Sequence, residues 1–504
     1  MSENVSLVSK IFRGSALNAA DLILRMAVMF LMTPFMVSKL GMEGYGTWVV
    51  LTTAVSFLDL LDGGITLSGT RFLARTIGCK DQAAYAETAG TLTWLYRRIG
   101  WLSLIGTIVL VLCCGLFVKD NSRLIVARQV LAVLGGSLAL RFFLRIHLVV
   151  LKSHVRYDLI VVSGLAKLVL QSALIVTLLL NGHGLVMLAI AQIASDVLDQ
   201  ILVVIFSKRT GFAKFAIAPS REKVREVLSY SSTIFLNTLG QFLRSRLDSL
   251  VLSLTTGVQT VPVYNTGMRL LTLYGDLMNA IIGGPLLAGF CQVEGSSGLE
   301  VLRQKFLQSM RFSVPLAVLG AVGLFAYGPA FLIRWMGPEF AQSGSILRLL
   351  IGVFALWLMQ LPATSMLLAL NRHQVVMKST LLAGIFNLVV SLLLAWKIGF
   401  YGVVIASLIE MAIFYGVLVP YLAARALELS LHSYYRLALL RPLACSLVPS
   451  ALYVILSQHW LQLEYLRLAL LASGLVVVSA LSLWCLVLTQ GEKKAVQQRL
   501  GWNC

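Results

Sequence analysis

LNAADLILR, at residues 17–25, places Asn18, Asp21 and Arg25 inside what otherwise reads as the first hydrophobic helix of the chain. LNTLGQFLR, at residues 236–244, repeats Leu, Asn, Leu and Arg at the same four positions, 219 residues later. A charged side chain in mid-membrane costs about 2.5–3.5 kcal/mol on insertion scales, so such groups face a bundle interior or a wet cavity and find partners there. A chain that repeats this costly pattern reads as two related halves, each with a polar face.

The surrounding composition says what the pattern is embedded in. Of 504 residues, 58% are apolar and 12% charged, with mean hydropathy +0.86; a soluble domain would be about 25% charged. This is the profile of an integral membrane protein. A helix needs about 20 mostly apolar residues to cross the hydrocarbon core, and fourteen such segments are expected near residues 14–38, 46–68, 100–118, 124–151, 157–180, 184–207, 229–254, 261–289, 311–333, 345–369, 377–396, 402–424, 437–456 and 466–488. The first is long, polar in its middle and without a small-residue cleavage site, so it is read as retained rather than removed as a signal.

The net charge of +19 follows the topology. With the N-terminus inside, the outward connections hold eight basic residues, among them Lys39, Lys119, Arg128 and Lys397, against twenty-six in the inward segments. That asymmetry is the positive-inside rule and expects both termini in the cytoplasm. Nucleic-acid binding is not needed to explain the charge. The seven cysteines are scattered with no metal-ligand spacing, and read as small apolar residues.

Thr52, Ser56, Asp59, Gly63 and Gly64 in the second segment match Thr272, Asp276, Asn279, Gly283 and Gly284 in the eighth at an offset of 220. Six helices return the chain to the same side, so the two halves share an orientation, related by an axis along the membrane normal. The expected architecture is all-α and polytopic: a six-helix lobe at 1–210, a second at 211–430, and two further helices with a cytoplasmic tail at 431–504. A central basic loop at 208–225 joins the lobes, and the 72–100 connection is expected to carry an amphipathic interfacial helix.

Helical spacing then assigns faces. The first helix aligns Asn18, Asp21 and Arg25; the seventh aligns Asn237, Gln241, Arg244 and Asp248; the eighth carries the longest stripe, Asn265, Arg269, Thr272, Asp276 and Asn279. The second carries Thr52, Ser56 and Asp59, with Asp62 close by. Two readings stand beside each other. These faces line a hydrophilic cavity between the halves, or pairs such as Asp21 with Arg25 and Arg244 with Asp248 merely make insertion tolerable as intrahelical partners. Arg141 and Arg145 on the fourth helix are expected to pair with Asp196 and Asp199 on the sixth as scaffold. Lys167, with Ser163 and Gln171 at four-residue steps, is a further cavity residue. Glu410 is either a coupling-ion site or a satisfied core acid. Pro34, Pro315, Pro362 and the glycine pairs mark places where helices bend or end.

Arg25, Arg244 and Arg269 bear on the cargo. A guanidinium stays charged and offers a planar fork of donors suited to phosphate oxygens, whereas an exporter of cationic drugs would favour acids and aromatics. The run PFMVSKLGMEGYGTWVV from Pro34, SFLDLLDGGI from Ser56 and RFLA from Arg71 resembles the Wzx-type oligosaccharide flippases of the multidrug/oligosaccharidyl-lipid/polysaccharide exporter superfamily. The layout is similar over nearly the whole chain, while the short motifs lie in its first hundred residues.

The resemblance implies transfer of an undecaprenyl-pyrophosphate-linked oligosaccharide from the cytoplasmic to the outer leaflet by alternating access, for O-antigen, lipopolysaccharide or similar surface polysaccharide at the bacterial inner membrane. It implies a V-shaped pair of lobes, the last two helices as a groove for the lipid tail, and polymerase machinery as a partner. In related flippases of lipid-linked peptidoglycan precursors, arginines of the first and eighth helices engage the pyrophosphate; Arg25 and Arg269 lie in the corresponding helices. The headgroup residues expected are therefore Arg25, Arg244, Arg269, Asn18, Asn237, Asn265 and Lys167. Asp21, Asp59, Asp62, Asp276 and Glu410 are the candidates for coupling to a proton or sodium gradient, with no cofactor expected. Gly64 and Gly69 have the first spacing of an ATP-binding loop, but Thr70 stands where its lysine should be. The rivals are an ion-coupled multidrug exporter on the same fold and a polytopic polysaccharide polymerase or ligase. Outer connections no longer than about fifteen residues offer such an enzyme no domain, so no enzymatic activity is expected.

Overall fold

A backbone in hydrocarbon must satisfy its own hydrogen bonds, which leaves helices or closed barrels. In a computed structural model of the chain, which describes residues 2–116, 121–209, 219–296, 299–457 and 464–487, every regular element among the described residues is helical. The C-terminal tail expected in the cytoplasm, part of the central basic loop and the side chain of Asn18 lie outside the described residues. The chain forms two compact units, Met1–Pro262 and Val263–Cys504.

The first unit contains α1 (Ser2–Asp59), α2 (Ile65–Gly78), α3 (Gln82–Leu112), α4 (Asn121–Ser153), α5 (Tyr157–Leu180), α6 (Leu185–Arg209), α7 (Arg221–Ser245) and α8 (Asp248–Thr255). Two apolar clusters hold it. Leu73, Leu92, Tyr96, Phe142 and Val149 pack with Val227 of α7, and Met36, Ile175, Leu179 and Leu188 pack with Tyr45 and Trp48. Polar contacts join α7 to the same body: the Ser68 and Ser231 hydroxyls lie 2.6 Å apart, and Ser220 donates to Glu87 at 2.6 Å.

α9 (Thr260–Met278) leads into the second unit. There follow α10 (Gly284–Ser296), α11 (Leu299–Met336), α12 (Ala341–Met359), α13 (Leu361–Ala369), α14 (His373–Ile398), α15 (Phe400–Ile413), α16 (Val419–Ala426), the single turn α17 (Leu431–Ser433), α18 (Arg441–Ser457) and α19 (Tyr465–Ser482). Tyr327 of α11 packs with Leu468 and Leu475 of α19, and Tyr453 of α18 joins that cluster, so the last two helices are fastened to α11.

Among the described residues, twelve helical stretches are long and apolar enough to cross a membrane, against the fourteen segments read from the sequence. Both differences have a local cause. The first two segments are two helices joined without a loop, because α1 leaves helical geometry at Gly41, whose φ of 71° and ψ of 170° suit a residue without a side chain, and they fall in one continuous stretch of 55 residues, Leu24–Gly78. The segment at 229–254 is broken between Ser245 and Asp248, where Arg244, Arg246 and Asp248 crowd one turn. The long connection expected at 72–100 also shrinks to Cys79–Asp81. Here α2 presents Arg71 and Arg75 outward over buried Ile65 and Leu73, and Asp81 caps α3 by accepting from the Ala84 N–H at 2.9 Å.

Candidate functional site: polar faces at membrane depth

Arg25 is the most completely described of the expected headgroup residues. Its Nε donates to both oxygens of Asp21, at 2.8 and 2.9 Å, one turn earlier on α1. The side chain stays 42% exposed, so this pairing leaves the outer part of the fork reachable. The Nη2 end rests against α5 at Gly164, 2.5 Å from where a Cβ would stand. The intrahelical pair and the presented guanidinium therefore coexist: Asp21 orients Arg25 through one nitrogen and leaves the terminal nitrogens for an acceptor.

Lys167 is held differently. Its ammonium lies 2.5 Å from Asp196 Oδ1, and Asp196 is buried at 4% exposure. Ser137 of α4 donates to the other carboxylate oxygen at 2.9 Å, and Gln192 donates to it at 3.3 Å while accepting from Gln171 at 2.5 Å. Three helices, α4, α5 and α6, share this network. Asp196 is thus paired directly with Lys167, and Arg141 of the fourth helix adds a favourable charge from further off.

Arg145 instead reaches α2. It lies 3.9 Å from Asp62 and donates to Thr66 Oγ1 at 3.3 Å. Asp62 accepts from the Thr66 hydroxyl at 2.5 Å and from the Thr66 N–H at 3.2 Å, and the Thr66 hydroxyl lies 3.0 Å from that of buried Tyr96. Asp62 therefore anchors the first turn of α2. Asp59, just before it, has a buried Oδ1 without a hydrogen-bond partner among the described residues. On α7, Asn237 and Arg244 are half-buried, and Asp248 at the start of α8 is buried.

In the second unit, α9 has two faces. Arg269, Thr272, Asp276 and Asn279 are exposed and Asn265 half-buried, while Leu270, Leu271, Tyr274 and Met278 are buried. The stripe continues into a π-helical turn over Asn279–Gly283, where the sequence shows Gly283-Gly284-Pro285; such turns widen the helix and interrupt its regular bonding. Glu410 on α15 is fully buried, one turn after Ser407, which accepts from Asn387 of α14 at 3.3 Å. Among the described residues no three potential metal ligands cluster.

The structure thus brings together Asp21 with Arg25, Lys167 with Asp196, and Asp62 with Arg145. Sequence spacing announced the first through its four-residue interval. The other two join distant helices, and Gly164 leaves no sequence signal at all, since its contribution is the room its missing side chain provides.

A model of the family described as polysaccharide biosynthesis protein matches residues 82–343. The chain is 22% identical over 421 residues to the probable flippase AglR of Haloferax volcanii, covering 81% of this chain and 82% of that protein. It is also 22% identical over 288 residues to the uncharacterized membrane protein EpsK of Bacillus subtilis, covering 55% and 54%. Among solved structures, the lipid II flippase MurJ in an inward closed conformation superposes with a TM-score of 0.69 at 12% identity, over 95% of this chain and 99% of that one. A multidrug resistance MATE family transporter in its inward-facing conformation gives 0.63 at 17% identity, over 80% and 99%. At these identities the likeness establishes the fold, an all-helical one seen in transporters of both kinds.

Proposed function

Because the chain belongs to the polysaccharide biosynthesis protein family, we propose that it is a flippase carrying an undecaprenyl-pyrophosphate-linked oligosaccharide from the cytoplasmic to the outer leaflet by alternating access. It serves assembly of O-antigen or a similar surface polysaccharide, in the bacterial inner membrane with both termini in the cytoplasm, and delivers its cargo to polymerase machinery. The observation that carries this reading is the presented guanidinium of Arg25, steered through Nε by Asp21 and otherwise exposed at membrane depth.

The barrier to crossing is dehydration of the two phosphates and the glycan. Arginine donors substitute charge-assisted hydrogen bonds for the lost water, while the prenyl tail stays in lipid throughout. Arg25, Arg244 and Arg269 are the donors to the pyrophosphate, with Asn18, Asn237 and Asn265 on the same helix faces as neutral partners. Lys167, held by Asp196, supplies positive potential rather than a direct grip. No covalent step is required. Ion coupling, to protons or sodium, runs through carboxylates of the set Asp21, Asp59, Asp62, Asp276 and Glu410.

The test is flipping of a labelled undecaprenyl-pyrophosphate oligosaccharide in proteoliposomes. A hydrogen bond to a charged group contributes about 1.5–3 kcal/mol, so Arg25→Ala, Arg244→Ala and Arg269→Ala are each expected to slow transport roughly ten- to hundred-fold with normal insertion. Undiminished transport in all three removes the headgroup site; glycosyl transfer by the purified protein would replace a flippase with a polymerase or ligase.

A further inference from the structure

Arg141, Arg145 and Lys152 follow one another on α4 at steps of four and seven, which puts all three on one face of the helix. Arg141 has a counter-charge within electrostatic reach, the carboxylate of Asp196. The other two are poorly balanced. Arg145 spends Nε on Thr66 Oγ1 at 3.3 Å, and its two Nη groups make no hydrogen bond among the described residues. Lys152, half-buried in the last turn of α4, makes neither a hydrogen bond nor an ion pair among them. The charged groups that bear on its ammonium are Arg145, a like charge, and Asp62.

Asp62 is a weak counter-ion for both. It stands 3.9 Å from Arg145 Nε, with Oδ1 occupied by the Thr66 hydroxyl and Oδ2 by the Thr66 N–H. The side chains of Arg145 and Asp62 are 18% and 16% exposed, so the cluster is largely withdrawn from water without being sealed from it. Residues 1–20 and 210–218 do not supply the missing acid, since together they hold Lys10, Arg13 and Lys214 against Glu3.

Two cations facing one spent carboxylate cost free energy unless an anion joins them. Arg145 and Lys152 stand about 10 Å apart along the axis at 1.5 Å per residue, within reach of one ligand for two long side chains. The Nη fork of arginine suits two phosphate oxygens, and a lysine ammonium binds phosphate as a point charge. A carboxylate ligand carries one negative charge, whereas a phosphate group carries about −1.5 to −2 at neutral pH over several acceptor oxygens.

We propose that Arg145 and Lys152 form a phosphate-binding site that receives the cargo's pyrophosphate at the end of the first unit expected in the cytoplasm, before it passes to Arg25. The identity of the ligand rests on the flippase reading, whereas the anion site does not.

The test uses full-length protein in nanodiscs of neutral phosphatidylcholine, with radiolabelled inorganic pyrophosphate as the probe. An Arg25→Ala, Arg244→Ala and Arg269→Ala triple variant removes the headgroup donors and is expected still to bind. Adding Lys152→Met should weaken that binding at least tenfold without lowering the unfolding midpoint, which a merely structural lysine would lower. Adding Arg75→Gln, which removes an exposed charge of α2, should change nothing. A triple variant that binds no pyrophosphate, or binds it equally after Lys152→Met, overturns the site. With phosphatidylglycerol mixed into the nanodisc, unchanged pyrophosphate binding supports a cargo site; displacement makes a bilayer phospholipid the occupant and overturns the receiving role. In proteoliposomes, Lys152→Met alone should raise the half-saturating concentration of the labelled lipid-linked oligosaccharide about tenfold with the maximal rate within twofold. An unchanged half-saturating concentration overturns the receiving role. Wild type that binds pyrophosphate at Lys152 but flips no cargo would remove the flippase reading and leave the anion site.

Discussion

A methyl group at position 164 would stand 2.5 Å from Arg25 Nη2, and the atom it meets is the far end of a flexible side chain. The contact is relieved by moving Arg25, so Gly164→Ala should cost function and not stability. Replacing a mid-helix glycine by alanine gains roughly 0.5–1 kcal/mol by itself. The expected outcome is an unchanged or raised unfolding midpoint in detergent together with several-fold slower flipping; unaltered flipping would mean that the seat on α5 does not matter. The Lys167–Asp196 pair makes the opposite forecast. Removing one partner of a buried ion pair leaves a charge uncompensated and costs about 3–5 kcal/mol. Lys167→Met should therefore lower the unfolding midpoint sharply, and adding Asp196→Asn should restore most of it; two additive losses would contradict the pairing. Both cases show how far residues could be read from the chain alone. The four-residue step from Asp21 to Arg25 is written in one helix and was legible. The partner of Lys167 depended on which helices touch, and helical periodicity gives a residue's face without saying what lies opposite.

At the scale of elements, the two helices either side of Gly41 were legible, and what the structure adds is their junction through a single non-helical residue instead of a loop. An apolar run on each side of Gly41 reads equally well as two spans with a loop or as one helix with a kink, because hydropathy is blind to a single backbone angle. The glycines there have separate duties. Gly41 sits at φ 71° in open space, whereas a Cβ on Gly46 would come within 2.0 Å of the Val258 carbonyl oxygen. Backbone cannot step aside as a side chain can. Gly46→Ala should force α1 from the α8–α9 turn and cost about 3 kcal/mol or more, beyond ordinary overpacking because backbone is what it meets, while Gly41→Ala costs about 1–3 kcal/mol of backbone strain alone. Unfolding midpoints of the two variants order these costs, and a Gly46→Ala protein as stable as wild type would mean the close approach is not maintained. The break between α7 and α8 has the same lesson: Arg244 and Asp248 were legible as a polar face, but the interruption of the helix between them was not.

For the molecule as a whole, composition determined the class and the positive-inside asymmetry supplies an orientation that can be checked in cells. Within the first unit the ends are fixed by contact: Tyr85 packs edge-on against His154 just before α5, so the Cys79 turn lies near that end. His183 follows the far end of α5, a helix of 24 residues and therefore about 36 Å long, enough to cross the hydrocarbon. Both Cys79 and His183 are exposed. If the segments richer in basic residues face inward, Cys79 is expected in the cytoplasm and His183 on the outer side. In a background otherwise free of cysteine, the native Cys79 should react with a membrane-impermeant maleimide only after permeabilisation, and a His183→Cys variant should react in intact cells. Labelling in the reverse order would invert the orientation.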